Sequence, residues 1–291
     1  MEIVHVPVML NEIVEALRVK RSGIYVDGTV GLGGHAEGIL RKAEGECTLI
    51  GMDRDEEALE IAGKRLKDYD VQLMKDNFSN MEDAVKGLGY KEVDGILLDL
   101  GLSTLQLKAE GRGFSFLRDD PLDMRMDTAQ ELTAANIVNE YPEKDLANVL
   151  WKYGEERFSR KIARAIVNAR QRKTIKTCKE LALIIEKAVK RRGRIHPATR
   201  AFQTLRIEVN KELTLLSMAL DAGINLLGPK GRLCVLSYHS LEDRIVKHSF
   251  KDMAKKGVLT IITKRPLTPQ KEERDANPSS RSAKLRVAEK L

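Results

Sequence analysis

From residue 24 to 100 the chain alternates two hydrophobic patterns. Short, nearly continuous apolar runs ("GIYVDGTV", "CTLIGMD", "VQLMKDN", "VDGILLDLG") read as buried strands. Between them lie "GHAEGILRKA", "DEEALEIAGKRLKDY" and "FSNMEDAVKGLG". Their apolar residues recur at helical spacing, for example Ala58, Ile61, Ala62 and Leu66. Strands alternating with amphipathic helices predict a parallel sheet with crossovers.

The alternation stops after "GFSF" and "RDDPLDMRMD". From about residue 128 to 196 the period is helical throughout. Leu146, Val149, Leu150 and Tyr153 share one face, and Ile162, Ile166 and Ala169 another. Thr177 and Glu180 form a capping-box pattern ahead of "CKELALIIEKAV". Phe202, Leu205, Val209, Leu213, Leu216 and Leu220 then follow at steps of three or four, as one continuous helix would place them. The strand pattern returns with "GPKGRLCVLSYHS", "VLTIITKR" and "SAKLRVAEKL". The simplest account is an α/β fold with a seven-stranded, mostly parallel sheet. An all-α insertion, residues 111–207, interrupts a discontinuous domain of residues 1–110 and 208–291.

Composition changes this picture in one respect. The chain of 291 residues carries a formal charge of +7. Trp151–Arg200 alone holds sixteen Lys and Arg against four Glu and no Asp. That excess of +12 leaves −5 for the remainder, so one segment is built to meet something anionic. Arg191, Arg192, Arg194, Arg200 and Arg206 concentrate it, and an Arg-rich loop running into a helix suits phosphates. A solvated helical surface is the other reading of such a run. Three scattered cysteines and five scattered histidines, none at zinc-ligand spacing, predict a reduced, metal-free, cytoplasmic protein. No apolar run reaches the roughly 20 residues that span a bilayer, and "MEIVHVPVMLNEIVEAL" lacks signal-peptide features.

The chemistry starts at "DGTVGLGGHA", a glycine-rich turn between a strand and a helix. Gly31 to Ala36 fits G-x-G-x-x-A, and Asp53 follows Gly33 by 20 residues. That fingerprint by itself suggests a dinucleotide. Asp27, four residues before Gly31, argues against one, because a carboxylate at the loop repels a pyrophosphate and suits a cation. After the third strand, Asp76 can accept from an exocyclic amine and Phe78 can cover a flat ring. The ligand implied has a ribose at Asp53, an adenine near Asp76 and Phe78, and positive charge near Asp27. S-adenosylmethionine has these features, with its carboxylate at the helix amides of Gly34 and His35. Plainer roles are a helix cap for Asp53, core for Phe78 and a helix start for His35.

The fourth strand ends at Asp99, which in this class of sheet points at the reacting methyl. A carboxylate there can accept the N–H of an exocyclic amine and take its proton after transfer. The turn reads Asp99-Leu100-Gly101-Leu102, without the prolines and aromatic of many amine-directed nucleic-acid methyltransferases. In "SYHSLED", Tyr238 can stack on a base and His239 can move a proton. The alternative is that Ser240 caps the next helix and Tyr238 packs beneath it.

"HVPVMLNEIVEAL", "DGTVGLGGHA", "DLGLSTLQL", "GFSF", "PLDMRMD", "RAFQTLRIEVN", "SYHSLEDRIVK" and "NPSSRSAKLR" resemble, in order and spacing, the bacterial MraW/RsmH family. These are the small-subunit ribosomal RNA cytosine-N4 methyltransferases. The resemblance runs from His5 to about Arg286. It implies a class I, Rossmann-like methyltransferase with an inserted helical substrate domain. It further implies methylation of a cytosine N4 in the decoding region of 16S ribosomal RNA. The family's cofactor positions fall on Gly33, Gly34, His35, Asp53, Phe78, Asp99 and Gln106. Ser103-Thr104-Leu105-Gln106 stands where the family usually has S-S-P-Q. The RNA contacts expected are Arg191, Arg192, Arg194, Arg200 and Tyr238, with Asp99 or His239 accepting the proton. The partner implied is 16S ribosomal RNA within the small subunit; a homodimer is compatible with the sequence. The rival readings are an NAD-dependent dehydrogenase and a non-catalytic RNA-binding protein.

Overall fold

A computed structural model describes residues 6–102, 110–189 and 196–291. The chain forms two compact units: Met1–Ser103 with Leu213–Leu291, and Thr104–Glu212.

The first unit is built on a seven-stranded sheet. Its strands are β1 (Ile24–Asp27), β2 (Thr48–Asp53), β3 (Val71–Lys75), β4 (Val93–Asp99), β5 (Leu227–Ser237), β6 (Leu259–Ile261) and β7 (Lys284–Lys290), in the order β3-β2-β1-β4-β5-β7-β6. The first five pair in parallel, and β7 runs antiparallel to β5 and β6. All seven apolar runs are strands, for a simple reason. A sheet covered on both faces needs unbroken apolar segments. One side packs Val26, Ile50, Ile96, Leu98 and Val235 against Met81, Val85, Leu220 and Phe250. The other packs Tyr25, Leu49, Leu97 and Leu236 against Ile13, Leu17, Ile39 and Leu40. The helices that cover the sheet include α1 (Leu10–Leu17), α2 (Gly34–Lys42), α3 (Glu56–Arg65) and α4 (Met81–Gly87).

The turn expected at "GPKG" lies within β5. Val93 pairs with Leu227, but Gly95 pairs with Arg232, so residues 228–231 loop out as a bulge.

The second unit is helical: α5 (Ala134–Glu140), α6 (Glu143–Gly154), α7 (Ser159–Arg170), α8 (Cys178–Val189) and α9 (Ala198–Asn210). The capping box of α8 forms as its sequence predicts. Thr177 Oγ1 accepts from the Glu180 amide at 3.2 Å, and Glu180 Oε2 accepts from the Thr177 amide at 3.3 Å.

The structure corrects one expectation. The apolar period running from Phe202 to Leu220 is carried by two helices, α9 and α10 (Glu212–Leu226), not one. Lys211 between them is left-handed, with φ 52°. A four-residue step from Val209 to Leu213 spans such a break without changing the pattern. The cause lies in the buried Asn210 side chain. Its Nδ2 donates to the carbonyls of Met124 at 2.8 Å and Arg206 at 2.9 Å, and its Oδ1 accepts from the Met126 amide at 2.8 Å. Two further helices, α11 (Ser240–Lys255) and α12 (Lys271–Ala276), lie between the last strands. Among the described residues, no helix is long and apolar enough to cross a membrane. Cys47, Cys178 and Cys234 are free and buried.

Replacing Asn210 with Ala strips buried groups of partners in unit Thr104–Glu212. Urea unfolding followed by hydrogen exchange in that unit should show a loss of about 2–3 kcal/mol. A loss below about 0.5 kcal/mol would mean these bonds do not hold the helix break.

Candidate functional site: a buried carboxylate cluster at the strand ends

β1 lies between β2 and β4, and the register fixes what its end presents. Asp27 is level with Gly51 of β2 and Leu97 of β4. Asp53 and Asp99 each lie two residues further on. Since strand side chains alternate, all three carboxylates rise on the same face at the carboxyl edge.

The glycine turn closes over this edge. The Gly28 amide donates to Leu97 of β4 at 2.9 Å, and the Val30 amide to Met52 of β2 at 2.9 Å. A Cβ at Gly28 would sit 2.7 Å from the Leu98 side-chain end and 3.2 Å from Phe78, so any larger residue must displace its neighbours. Gly33 caps α2 at φ 78°, and among the described residues no side-chain cap is made at that helix N-terminus. The amides of its first turn, from Gly34 and His35, are therefore available to an anion such as a carboxylate.

Each carboxylate has its own surroundings. Asp27 is 1% exposed. Its Oδ1 accepts from the Thr29 amide at 3.2 Å, and its Oδ2 has no partner among the described residues. Burial pushes its carboxyl up to about 7, against a smaller opposing pull from His35. Asp53 accepts from the Gly31 amide at 2.9 Å and the Asp55 amide at 2.9 Å, and burial raises it too. It thus braces the turn and the entry to α3 together. Asp99 accepts from the Tyr238 hydroxyl at 2.8 Å through Oδ1. Its Oδ2 lies 3.5 Å from His35 Nδ1. Burial pushes Asp99 up to about 7, while the Tyr238 hydrogen bond works against that rise.

The proton on His35 follows from its neighbours. Nε2 is 2.9 Å from the Val8 carbonyl, which can only accept, so Nε2 carries a hydrogen. Burial lowers the imidazole, which favours the neutral ring with a bare Nδ1 toward Asp99. Asp99 and His35 thus form a pair able to share one proton.

Three contributors are not evident from the sequence. The sequence has Tyr238 stacking on a base or packing beneath a helix. Its ring packs against the core, its hydroxyl donates to Asp99, and a Cβ on Gly101 would come within 3.0 Å of the ring. The adjacency of β4 and β5 is the signal for that pairing. Val8 anchors His35. Glu242, buried at 3%, accepts from the Tyr238 amide at 2.9 Å and the His239 amide at 3.3 Å.

His239, not Ser240, is the N-cap of α11. Its Nδ1 accepts from the Glu242 amide at 3.4 Å and its Nε2 lies 3.1 Å from Glu242 Oε1. Nδ1 thus serves the helix start, Nε2 makes no hydrogen bond among the described residues, and Asp99 is met by Tyr238 and His35. Phe78 is half-buried beside Gly28 and packs on the core. Asp76 accepts from the Asn77 amide at 2.6 Å and Asn80 Nδ2 at 2.8 Å. Arg200 lies in α9 and donates to the Glu155 carbonyl at 3.1 Å. Arg206, in the same helix, grips Glu212 with two bonds of 2.8 Å. Gln106, Arg191, Arg192 and Arg194 lie outside the described residues.

A methylase family model described as MraW matches residues 2–291. The chain is 46% identical over 311 aligned positions to ribosomal RNA small subunit methyltransferase H of Clostridium botulinum (strain Kyoto / Type A2), with 100% of both chains covered. It is 48% identical over 310 positions to the protein of that name from Carboxydothermus hydrogenoformans, covering 100% of this chain and 99% of the relative. A crystal structure of an rRNA methylase from Streptococcus thermophilus matches 99% of this chain and 99% of its own, at a TM-score of 0.47 and 13% identity. On the full-length family match and these identities, the chain belongs to the MraW methylase family.

Proposed function

We propose that this chain uses S-adenosylmethionine to methylate the exocyclic N4 of a cytosine in the decoding region of 16S ribosomal RNA. The observation that carries the cofactor half of this reading is Asp27 Oδ2, which has no partner among the described residues and is buried beside two further acidic side chains. A buried carboxylate oxygen without a partner is costly unless a cation or donor reaches it. A dinucleotide or triphosphate would bring more negative charge to this place. S-adenosylmethionine brings a sulfonium and an ammonium. The rRNA half rests on the family and on the named activity of the relatives.

The residues fit the cofactor part by part. Asp53 would accept from a ribose hydroxyl, since it keeps lone pairs beyond the two amides it already holds. Phe78 offers a ring to cover the adenine, and Asp76 an acceptor for its amine. The first amides of α2, from Gly34 and His35, suit the carboxylate, and Gln106 completes the family's set. When bound, the cofactor supplies a methyl group on positively charged sulfur. Unit Thr104–Glu212, with Arg191, Arg192, Arg194 and Arg200, is the part that grips the RNA.

The rest is done by Asp99 and its holders. A cytosine amine is a weak nucleophile because its lone pair is delocalised into the ring. An acceptor for its N–H favours the pyramidal nitrogen that attacks, and afterwards takes the proton. A carboxyl titrating near 7 is matched to that duty at neutral pH. Tyr238 fixes one oxygen of Asp99, and burial beside that carboxylate keeps the phenol protonated as a donor. His35 faces the other oxygen.

Incubating the protein with radiolabelled S-adenosylmethionine and undermodified 30S particles, then digesting to nucleosides, should place the label in N4-methylcytidine. Asp99→Ala should abolish it while RNA affinity stays within a few fold. Label in another nucleoside would contradict the substrate assignment, and an unchanged rate would remove Asp99 from the mechanism.

Tyr238→Phe removes a donor that favours the ionised carboxylate, so Asp99 should hold its proton to higher pH. The acid limb of kcat against pH should then shift upward, with kcat at pH 7 falling about tenfold. An unmoved limb would show that the phenol does not tune Asp99.

A further inference from the structure

The joint between α6 and α7 holds two aromatic side chains in solvent. Trp151, in the last turn of α6, is 61% exposed, and Phe158, the N-cap of α7, is 42% exposed. The chain has one Trp and six Phe. Large aromatic rings are normally mostly buried, so two at one corner need an explanation.

The corner is firmly built. Glu155 turns it in the left-handed conformation at φ 46°, with its amide donating to the Trp151 carbonyl at 3.0 Å. Glu156 is buried, and its carboxylate accepts from the Phe158 amide at 2.9 Å. The Ser159 amide donates to the Glu156 carbonyl at 3.0 Å. Arg200 ties the Glu155 carbonyl to α9 at 3.1 Å. The rings are therefore presented by a fixed scaffold.

The surrounding charge says what meets them. Lys152, Arg157, Arg160, Lys161 and Arg164 are all exposed within the same stretch, and Glu155 is the one exposed acid from 151 to 164. Glu143, 3.5 Å from Arg164, offsets part of this. Two copies joined symmetrically through this corner would set cations against cations. An acidic partner with flat, unpaired rings is complementary in both respects: bases stack on the aromatics and phosphates meet the cations.

We propose that the α6–α7 corner is a docking face for unpaired nucleotides of the RNA substrate. Trp151 and Phe158 are the stacking platforms, and Arg157, Arg160 and Lys161 meet the phosphates. The proposal rests on the RNA-methylating reading and adds to it a surface outside the Arg191–Arg200 stretch.

Because Trp151 is the sole tryptophan, its fluorescence reports on this corner directly. Titrating the full chain with a single-stranded oligoribonucleotide should quench it, along the same curve as the anisotropy of a label on the RNA. Trp151→Ala should weaken binding about tenfold, while Trp151→Phe, which keeps a stacking ring, should stay within about threefold. Arg157→Ala with Arg160→Ala should lower the salt slope by about 0.7 for each phosphate left without its arginine. Three outcomes would overturn the proposal: RNA binding with unchanged fluorescence, equal affinities of wild type and Trp151→Ala, or a Trp151→Ala change from dimer to monomer at unaltered RNA affinity. Methylation of 30S particles by the wild type is scored separately. A failed corner with intact methylation discards this face alone, and absent methylation discards the reading beneath it.

Discussion

A carboxylate with one oxygen that has no partner among the described residues, buried at the end of a strand flanked on both sides by parallel neighbours, sets the terms for the rest of this site. Asp27 is held beside Asp53 and Asp99 by register, and none can move away without breaking the sheet edge. Burial raises all three. The sign of the resulting linkage is clear. Asp27 and Asp99 titrate near 3.8 when unfolded and near 7 when folded, so across that window the folded chain binds more protons. These two groups therefore contribute progressively less stability to the ligand-free protein as pH rises from about 4 to 7. A cation delivered to the cluster reverses that cost, so stability given up by the empty fold reappears as affinity for a positively charged ligand.

Distant parts of the chain converge to hold the cluster. The Val8 carbonyl anchors His35 from the N-terminal segment. Met9 next to it is left-handed at φ 54°, and its amide is taken by Glu273 of α12 at 2.7 Å. Asn277 reaches the Val6 carbonyl at 3.2 Å. Residues 6–9 are thus pinned by a segment more than 260 residues later, and the pin ends on the imidazole facing Asp99. β5 supplies Tyr238 from the opposite side, with Glu242 of α11 fixing the backbone there. Glycine turn, neutral histidine and phenol are three local solutions to one problem: keeping a buried carboxylate aimed, and titrating where a base is useful.

Much of this is legible in the sequence because it is local. Apolar strands ending in Asp27, Asp53 and Asp99, and a glycine turn after the first, need no tertiary information. The helix break at Lys211 is hidden because a four-residue apolar step spans it, and its cause, the bonds of Asn210 to Met124 and Met126, is long-range. The cap at His239 escapes a reading by residue type because serine is the commoner cap and stands next to it. Tyr238 is visible as a residue but not as a partner, since its bond to Asp99 spans 139 positions and depends on β5 lying beside β4. The exposed rings at the α6–α7 corner are invisible for another reason. Sequence patterning gives neither Trp151 nor Phe158 a role, and their exposure is set by tertiary packing.

The claim at the centre is that the cluster recognises positive charge. Isothermal titration of wild type and Asp27→Asn with S-adenosylmethionine and with 5′-methylthioadenosine, which shares the nucleoside but carries no charge, tests it directly. The account requires the substitution to weaken the cationic ligand at least about tenfold and to leave the neutral one within about twofold. Equal losses for both ligands would show that Asp27 only shapes the turn, and the electrostatic account would fall.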